Sequence, residues 1–263
     1  MSTDPSKAPP FKRIANELRA EILRGDLAPG DKLPSQDQLE QRFEVSRATV
    51  RKGVAVLAAE GLVTTSQGKH STVRERPNVS LRQTGSIYRA RRATGEANFN
   101  AEARAQGQKV HQEIREVVEV PAPEAIADRF RVAPGAPMIV RRLLFVAEGK
   151  GGGGDTPLQL CDGYYDATVA GGTRLAEARL IKGGANAVLE DPDGPIGRRI
   201  KQFIEDLDIR MPYPHEIELL SIPVGVPVAR VIRTAYDAAG DVLEVLDSIV
   251  PCDRHVFRYV IDV

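Results

Sequence analysis

The 263-residue chain contains no tryptophan, and its aromatic residues together amount to 5%. Its interior must therefore rest on aliphatic side chains, and 42% hydrophobic content is enough to build real cores in one large or two ordinary domains. Only two cysteines are present, Cys161 and Cys252, far apart, with no CxxC and no neighbouring histidine pair. That excludes the common zinc and thiol-redox motifs and reads as reduced core thiols, so no metal and no cofactor is expected. The opening segment MSTDPSKAPP has no apolar stretch of the signal-peptide kind, and no run approaches the length of a membrane span. A soluble, cytoplasmic protein without a membrane partner is expected. An excess of charge of either sign is also missing, since 36 Lys and Arg balance 36 Asp and Glu. The balance hides an asymmetry: residues 10–95 hold 16 basic against 9 acidic residues, a net +7, and residues 96–263 hold 19 against 26, a net −7. A basic first third suits a partner coated in phosphates.

Within that basic third, residues 33–76 carry the most specific pattern. Ser35 with Gln38 three residues on has the capping-box arrangement, and Leu39 and Phe43 then share a helical face. Ser46 can cap a second helix in which Val50, Val54, Leu57 and Ala58 recur at helical spacing, leaving Arg47, Thr49, Arg51 and Lys52 in or near its first turns. Gly61 is placed to end it, and two short β-prone runs, 62–65 and 71–73, flank a turn at Gln67, Gly68 and Lys69. A further amphipathic helix, residues 11–23 with Ile14, Leu18 and Ile22 on one face, precedes them. Two helices meeting at Val45-Ser46-Arg47, followed by a strand pair with a cationic tip, read as a winged helix-turn-helix that presents the start of its second helix to a major groove. A plain helical hairpin with solvated cations would share each single feature but not their order and spacing.

At the same residues the chain resembles the N-terminal domain of GntR-family transcription factors. The family pattern is matched by residues 25–35, GDLAPGDKLPS, by VSRATVR at 45–51, by LAAEGL at 57–62 and by a glycine-bearing wing at 67–73. The resemblance implies contacts to double-stranded DNA by Ser46, Arg47, Thr49 and Arg51, with Gln67, Gly68 and Lys69 on the wing; Ser35 joins this set. Asp37 stands where many relatives carry arginine, and His70 and Thr72 replace the usual glycine and aromatic of the wing.

From residue 109 the sequence alternates. Strands are expected at 111–120, 137–146 and 158–165, with a short helix at 123–130 and a flexible hairpin loop at 148–157 around four consecutive glycines. The glycine run lacks a following Lys-Ser/Thr pair and is no phosphate-binding P-loop. Residues 167–181 read as largely helical or looped and 191–194 as a turn. The stripe Ile196, Ile200, Phe203, Ile204 and Leu207 predicts a helix over 196–207. Strands are expected at 214–222, 228–237 and 241–251, the last two closed by a turn at 238–241. The whole is then α+β: a disordered tail 1–9, a winged helix-turn-helix 10–76, a linker 77–98 and an antiparallel-sheet domain 99–263. The linker arginines 82, 89, 91 and 92 could add phosphate contacts or serve solubility alone.

Two similar segments, 132–137 (VAPGAP) and 222–227 (IPVGVP), each precede a strand and a glycine-containing hairpin. With AEARAQG at 101–107, this duplicated layout resembles the UTRA effector-binding domain of the HutC-type branch of the GntR family, a chorismate-lyase-like fold. The polar residues Arg142, Gln159, Asp162, Tyr164, Tyr165, Arg233, Tyr236, Glu244 and Asp247 are the candidate effector contacts by alternation, and the resemblance adds weight to Tyr236 and the 159–165 strand. Sugar-phosphate-binding relatives carry alternate arginines on the 137–146 strand, whereas Leu143 and Phe145 stand here, so a less charged or more apolar small molecule is expected. His111, His215 and His255 have no nucleophile at motif spacing and no metal pattern, so no catalytic residue is assigned. The expectation is a homodimeric repressor released from an inverted-repeat operator by a small-molecule effector; an effector-independent DNA-binding factor or an enzyme of chorismate-lyase-like fold are the alternatives.

Overall fold

The computed structural model describes residues 8–65, 70–75, 81–84, 98–149 and 154–258. Packing divides the chain into two units, one of residues 1–77 together with 222–226 and the other of the remainder. In the first, Pro10 opens α1 (Pro10–Arg24) at a position where its missing N–H loses no helical bond, and Gly25, at φ 83°, closes it in the left-handed conformation that favours glycine. Ser35 caps α2 (Gln36–Phe43) with the full reciprocal box: its Oγ accepts from Gln38 N at 3.2 Å, and Gln38 Oε1 accepts from Ser35 N at 2.8 Å. Ser46 caps α3 (Arg47–Ala59) through Thr49 N. The two-residue strands β1 (Val63–Thr64) and β2 (Thr72–Val73) pair antiparallel, and Lys32 bridges to Thr72. Ile14, Ala15, Leu18, Leu33, Leu39, Val50, Leu57, Val63 and Val73 form one buried core, so each helix contributes the face that its periodicity marked.

Gly53 lets α1 and α3 approach closely. A β-carbon built there would lie 3.0 Å from Ile14 Cβ and Cγ2 and 3.0 Å from the Phe11 carbonyl. Intrinsic helix propensity alone would make Gly53→Ala stabilising by about 1 kcal/mol. The crossing reverses the sign, and Gly53→Ala is expected to lower the stability of the first unit by about 1–3 kcal/mol. Hydrogen exchange of the α1 and α3 amides checks this; slower exchange in the variant would refute it.

The second unit begins with β3 (Leu81–Thr84), inside the expected linker, which pairs in parallel with the final strand β10 (His255–Arg258). Residues 81–84 of the expected linker thus belong to a sheet and Asn98 to a helix; Arg89, Arg91 and Arg92 lie outside the described residues, as do residues 1–7 of the tail and residues 150–153 of the glycine loop. After α4 (Asn98–Ala105) come β4 (Val110–Pro121), α5 (Glu124–Phe130), β5 (Pro137–Ala147), β6 (Thr156–Asp166), the short α6 (Ala167–Ala170), a 3-10 turn at Arg174–Ala176 and α7 (Asn186–Leu189). β7 (Gln202–Arg210), α8 (Pro214–Leu220), β8 (Val228–Tyr236) and β9 (Val242–Pro251) complete a six-stranded antiparallel sheet in the order β4-β5-β6-β9-β8-β7. That order is a duplication. Each half runs strand, short helix, hairpin, and each helix ends on a left-handed non-glycine residue, Arg131 or Ser221, four residues before a left-handed glycine, Gly135 or Gly225. β6 and β9 repeat as well: LQLCD at 158–162 answers LEVLD at 243–247, and Asp162 and Asp247 are register partners between the halves.

Two expected elements are corrected. Residues 202–210 form strand β7, not the end of a helix, and 214–220 form helix α8, not a strand. In the first case Gly197 takes a left-handed φ of 59°, and nine consecutive residues find β8 partners from Gln202↔Tyr236 to Arg210↔Val228, so tertiary pairing overrides a local stripe. In the second, the alternation of HEIELL misled. Pro214 at N1 and Glu216 at N3, whose carboxylate accepts from Tyr213 N at 2.8 Å, start a helix, and Glu216 and Leu220, four apart, are its buried face.

Candidate functional sites

The first unit gathers polar groups at the start of α3. Ser35, Gln36, Asp37, Arg47, Arg51, Thr65 and His70 line one concave surface. Ser46 and Thr49 hold each other, Oγ to Oγ1 at 3.1 Å, while the Ser46 oxygen also caps the helix. Ser35 is likewise engaged as a cap, so both serines have a structural task before any ligand arrives. Arg51 is exposed, whereas Lys52 turns away and sets its ammonium 4.3 Å over the Phe11 ring. Arg47 is not a free cation: its Nε donates to Gln36 Oε1 at 2.8 Å and its Nη2 to Asp37 Oδ1 at 3.2 Å. The expected wing contacts Gln67, Gly68 and Lys69 lie outside the described residues. Gln36 was not among the expected site residues, and the one signal pointing to this corner was the acidic Asp37 at a position where cations are usual.

In the second unit, strand register splits the nine effector candidates between the two faces of the sheet. Register partners share a face, and neighbours along a strand do not, except where a register shift leaves an extra residue, as at Leu158 and Leu243. Gln159, Tyr165, Arg233 and Glu244 fall on the face that also carries Ile139, Ala235 and Leu243, over which α6, the 3-10 turn and α7 pack. Arg142, Asp162, Tyr164, Tyr236 and Asp247 fall on the opposite face, where α5 packs through Ile126 and Ala127. A single pocket lined by all nine is therefore ruled out. On the opposite face the charges pair with one another: Arg142 with Glu116 and Asp162, and Arg230 with Asp247 at 2.6 Å. Asp162 is pushed above the usual carboxylate range by burial, against the pull of Arg142.

The first face holds the more enclosed chemistry. Tyr165 Oη donates to Glu244 Oε1 at 2.5 Å, and both side chains are buried. Burial lifts the Glu244 carboxyl above its ordinary range, opposed by the Tyr165 hydrogen bond and the Arg233 charge, and lifts the Tyr165 phenol well above its own. Desolvation pushes Arg233 down to about 10; the same guanidinium pairs with Glu205 and lies over the Phe203 ring. Cys161, next to these, has its thiol pushed up to about 12 by burial and accepts from Ser248 Oγ at 3.5 Å, as an inert core thiol would. Toward the other end of the face, Leu143 and Phe145 pack with Phe99, Ala103 and Leu158 in an apolar cluster.

Comparison with known proteins completes the assignment. The model for bacterial regulatory proteins of the gntR family matches residues 10–73, and the UTRA domain model matches residues 105–256. The chain is a GntR-family transcriptional regulator with a UTRA domain. SCO4628, an HTH-type transcriptional regulator of Streptomyces coelicolor, is 28% identical over 259 residues, 96% of this chain and 93% of its own. The repressor NagR of Bacillus subtilis is 23% identical over 257 residues, 98% of this chain and 96% of its own. A crystal structure of a GntR-family transcriptional regulator aligns with a TM-score of 0.69 at 26% identity, covering 99% of this chain and all of that one. Among the described residues no helix is long and apolar enough to cross a membrane.

For this UTRA domain the raised Glu244 carboxyl fixes the sign of a pH dependence. A folded value above the unfolded one means that Glu244 contributes stability that is present below about 4.5 and lost as pH rises through the raised value. Gln, which stands at the repeat-related position 159, can still accept from Tyr165 without titrating. The stability of Glu244→Gln relative to wild type should therefore rise as pH increases above about 4.5. Thermal-denaturation midpoints at several pH values test this, and a difference that does not vary with pH would contradict it.

Proposed function

We propose that this regulator is a homodimeric repressor that sets one winged helix on each half of a short inverted repeat and leaves the operator when a small molecule enters the sheet domain. The observation that carries the reading is the start of α3, where a capped helix end places Arg47 and Arg51 on one concave surface with Ser35, Thr65 and His70. One such domain reads few base pairs, so two-fold pairing supplies the remaining specificity. The repressor name of NagR favours the negative sense of regulation. The relatives are regulators, which favours a sensing rather than a catalytic second domain. For the effector, the buried Tyr165–Glu244 pair with the Arg233 charge near it offers hydrogen-bonding partners, and the apolar cluster of Leu143 and Phe145 toward the other end of the same face favours a molecule less charged than a phosphosugar. A cytoplasmic location follows from the same reading.

Two outcomes are expected. Arg51→Ala, which removes an exposed cation from the first turns of α3, should weaken operator binding by about 1–3 kcal/mol if the guanidinium reads a base, or lower the salt slope by about one if it meets a phosphate. Titration of the operator at several salt concentrations distinguishes these, and wild-type affinity with an unchanged slope would remove Arg51 from the interface. An effector found by thermal-shift screening should weaken operator binding, and operator should weaken effector binding by the same factor, a coupling on the order of 1–3 kcal/mol. Ligands that stabilise the sheet domain and leave operator affinity unchanged would favour an effector-independent factor instead.

A further inference from the structure

Arg47, at the first position of α3, meets three side chains of α2. Nε donates to Gln36 Oε1 at 2.8 Å, Nη2 donates to Asp37 Oδ1 at 3.2 Å, and Glu40 Oε1 lies 3.6 Å from Nε. Glu40 Oε1 is shut off from solvent with no hydrogen bond among the described residues, so its charge acts on the guanidinium through space. Together these groups occupy the Nε–Nη2 edge. A guanidinium has a second edge, formed by Nη1 and Nη2, and Nη1 takes no part in these contacts. Asp37 itself remains exposed, at 77% of its side-chain surface, on the surface proposed to face DNA.

An exposed carboxylate there opposes the approach of any phosphate. It therefore lowers affinity for all DNA, and its presence needs a compensating gain. Guanine offers two acceptors, O6 and N7, that match one guanidinium edge, and a side chain already held in the right orientation loses less freedom on binding. We propose that Asp37, with Gln36, is a specificity-determining positioning residue: it grips Arg47 side-on, presents the Nη1–Nη2 edge to guanine, and repels phosphate from the same spot. The inference rests on the reading of α3 as the DNA-contacting helix. It adds that α2 decides what Arg47 reads.

The test uses the full chain. Duplexes are selected from a random-sequence library, and binding to the enriched duplex and to a scrambled one is titrated over a range of salt. The wild type should enrich a two-fold motif with one guanine in each half that Arg47→Ala relaxes. Asp37→Ala should relax the same position, with the enriched-to-scrambled ratio falling about tenfold. Its binding to scrambled duplex should tighten about fivefold at low salt, the gain fading as salt rises. Asp37→Asn keeps the accepting oxygen and loses the charge, so it should tighten scrambled binding while keeping the guanine. In the Arg47→Ala background, Asp37→Ala should relax nothing further. If Arg47→Ala relaxes the position and Asp37→Ala does not, the positioning role is overturned while the reading of α3 stands. If Asp37→Ala relaxes the motif equally without Arg47, the residue acts on its own and the proposal also fails. An Arg47→Ala variant with the wild-type motif overturns the reading of α3 and this proposal with it.

Discussion

The buried guanidinium of Arg141 is the contact on which the sheet domain's first face depends. It donates from Nη1 to the carbonyl oxygens of Leu175 and Glu177 at 2.8 and 2.7 Å and more weakly to that of Arg174, and from Nη2 to that of Arg179 at 2.8 Å. Burial lowers its pKa, yet the carbonyl ring satisfies the charge without a facing carboxylate bonded to it. Residues 174–179 have little regular structure beyond one 3-10 turn, with local backbone bonds to the Arg174 and Glu177 carbonyls, and a strand residue supplies the further donors. The segment that roofs Tyr165 and Glu244 is thereby held to the sheet by one side chain of β5. The neighbouring arginine shows how much depends on a single position: Arg142 points to the opposite face and joins a charge row with Glu116 and Asp162.

The internal duplication explains why the second unit can carry two unlike faces on one frame. The backbone devices are kept in both halves: the helix, the left-handed residue after it, and the glycine turn that feeds a strand. The side chains have diverged. Gln159 answers Glu244 on the first face, one neutral and one acidic, and the acidic member accepts from the Tyr165 hydroxyl. Asp162 and Asp247, which answer each other at the boundary between the halves, keep their identity, and each takes an arginine from its own half, Arg142 or Arg230. An open duplicated sheet can thus vary the side chains of one face while the other keeps its charges paired.

In the first unit the residues proposed to meet DNA also hold the fold. Ser35 and Ser46 hold the starts of α2 and α3, which leaves the N-terminal ends of both helices fixed in relation to each other and places Gln36 and Asp37 against Arg47. A side chain held before it meets its partner loses less entropy on binding. The ion pairs of Arg42 with Glu17 and Glu21, and of Arg19 with Glu60 at 2.6 Å, tie α1 to α2 and to the residue that ends α3, so the presenting surface rests on a three-helix frame.

By itself the sequence determined what is local or periodic. The capping box at Ser35, the cap at Ser46, the helical face of Ile14 and Leu18 with that of Val50 and Leu57, the strands around 111–120, 137–146 and 158–165, and the paired VAPGAP and IPVGVP segments were all legible, because caps, turns and periods act over a few residues. The tertiary structure decided what depends on a distant partner. β7 is a strand because β8 offers it nine register partners, although its apolar stripe fits a helix. α8 is a helix because Pro214 and Glu216 start it, although HEIELL alternates. Nine polar residues became two sets because register sends neighbours to opposite faces. Arg47 appeared in sequence as a cation near a helix start; that Gln36 and Asp37, eleven and ten residues away, hold one of its edges follows only from the packing of α2 against α3.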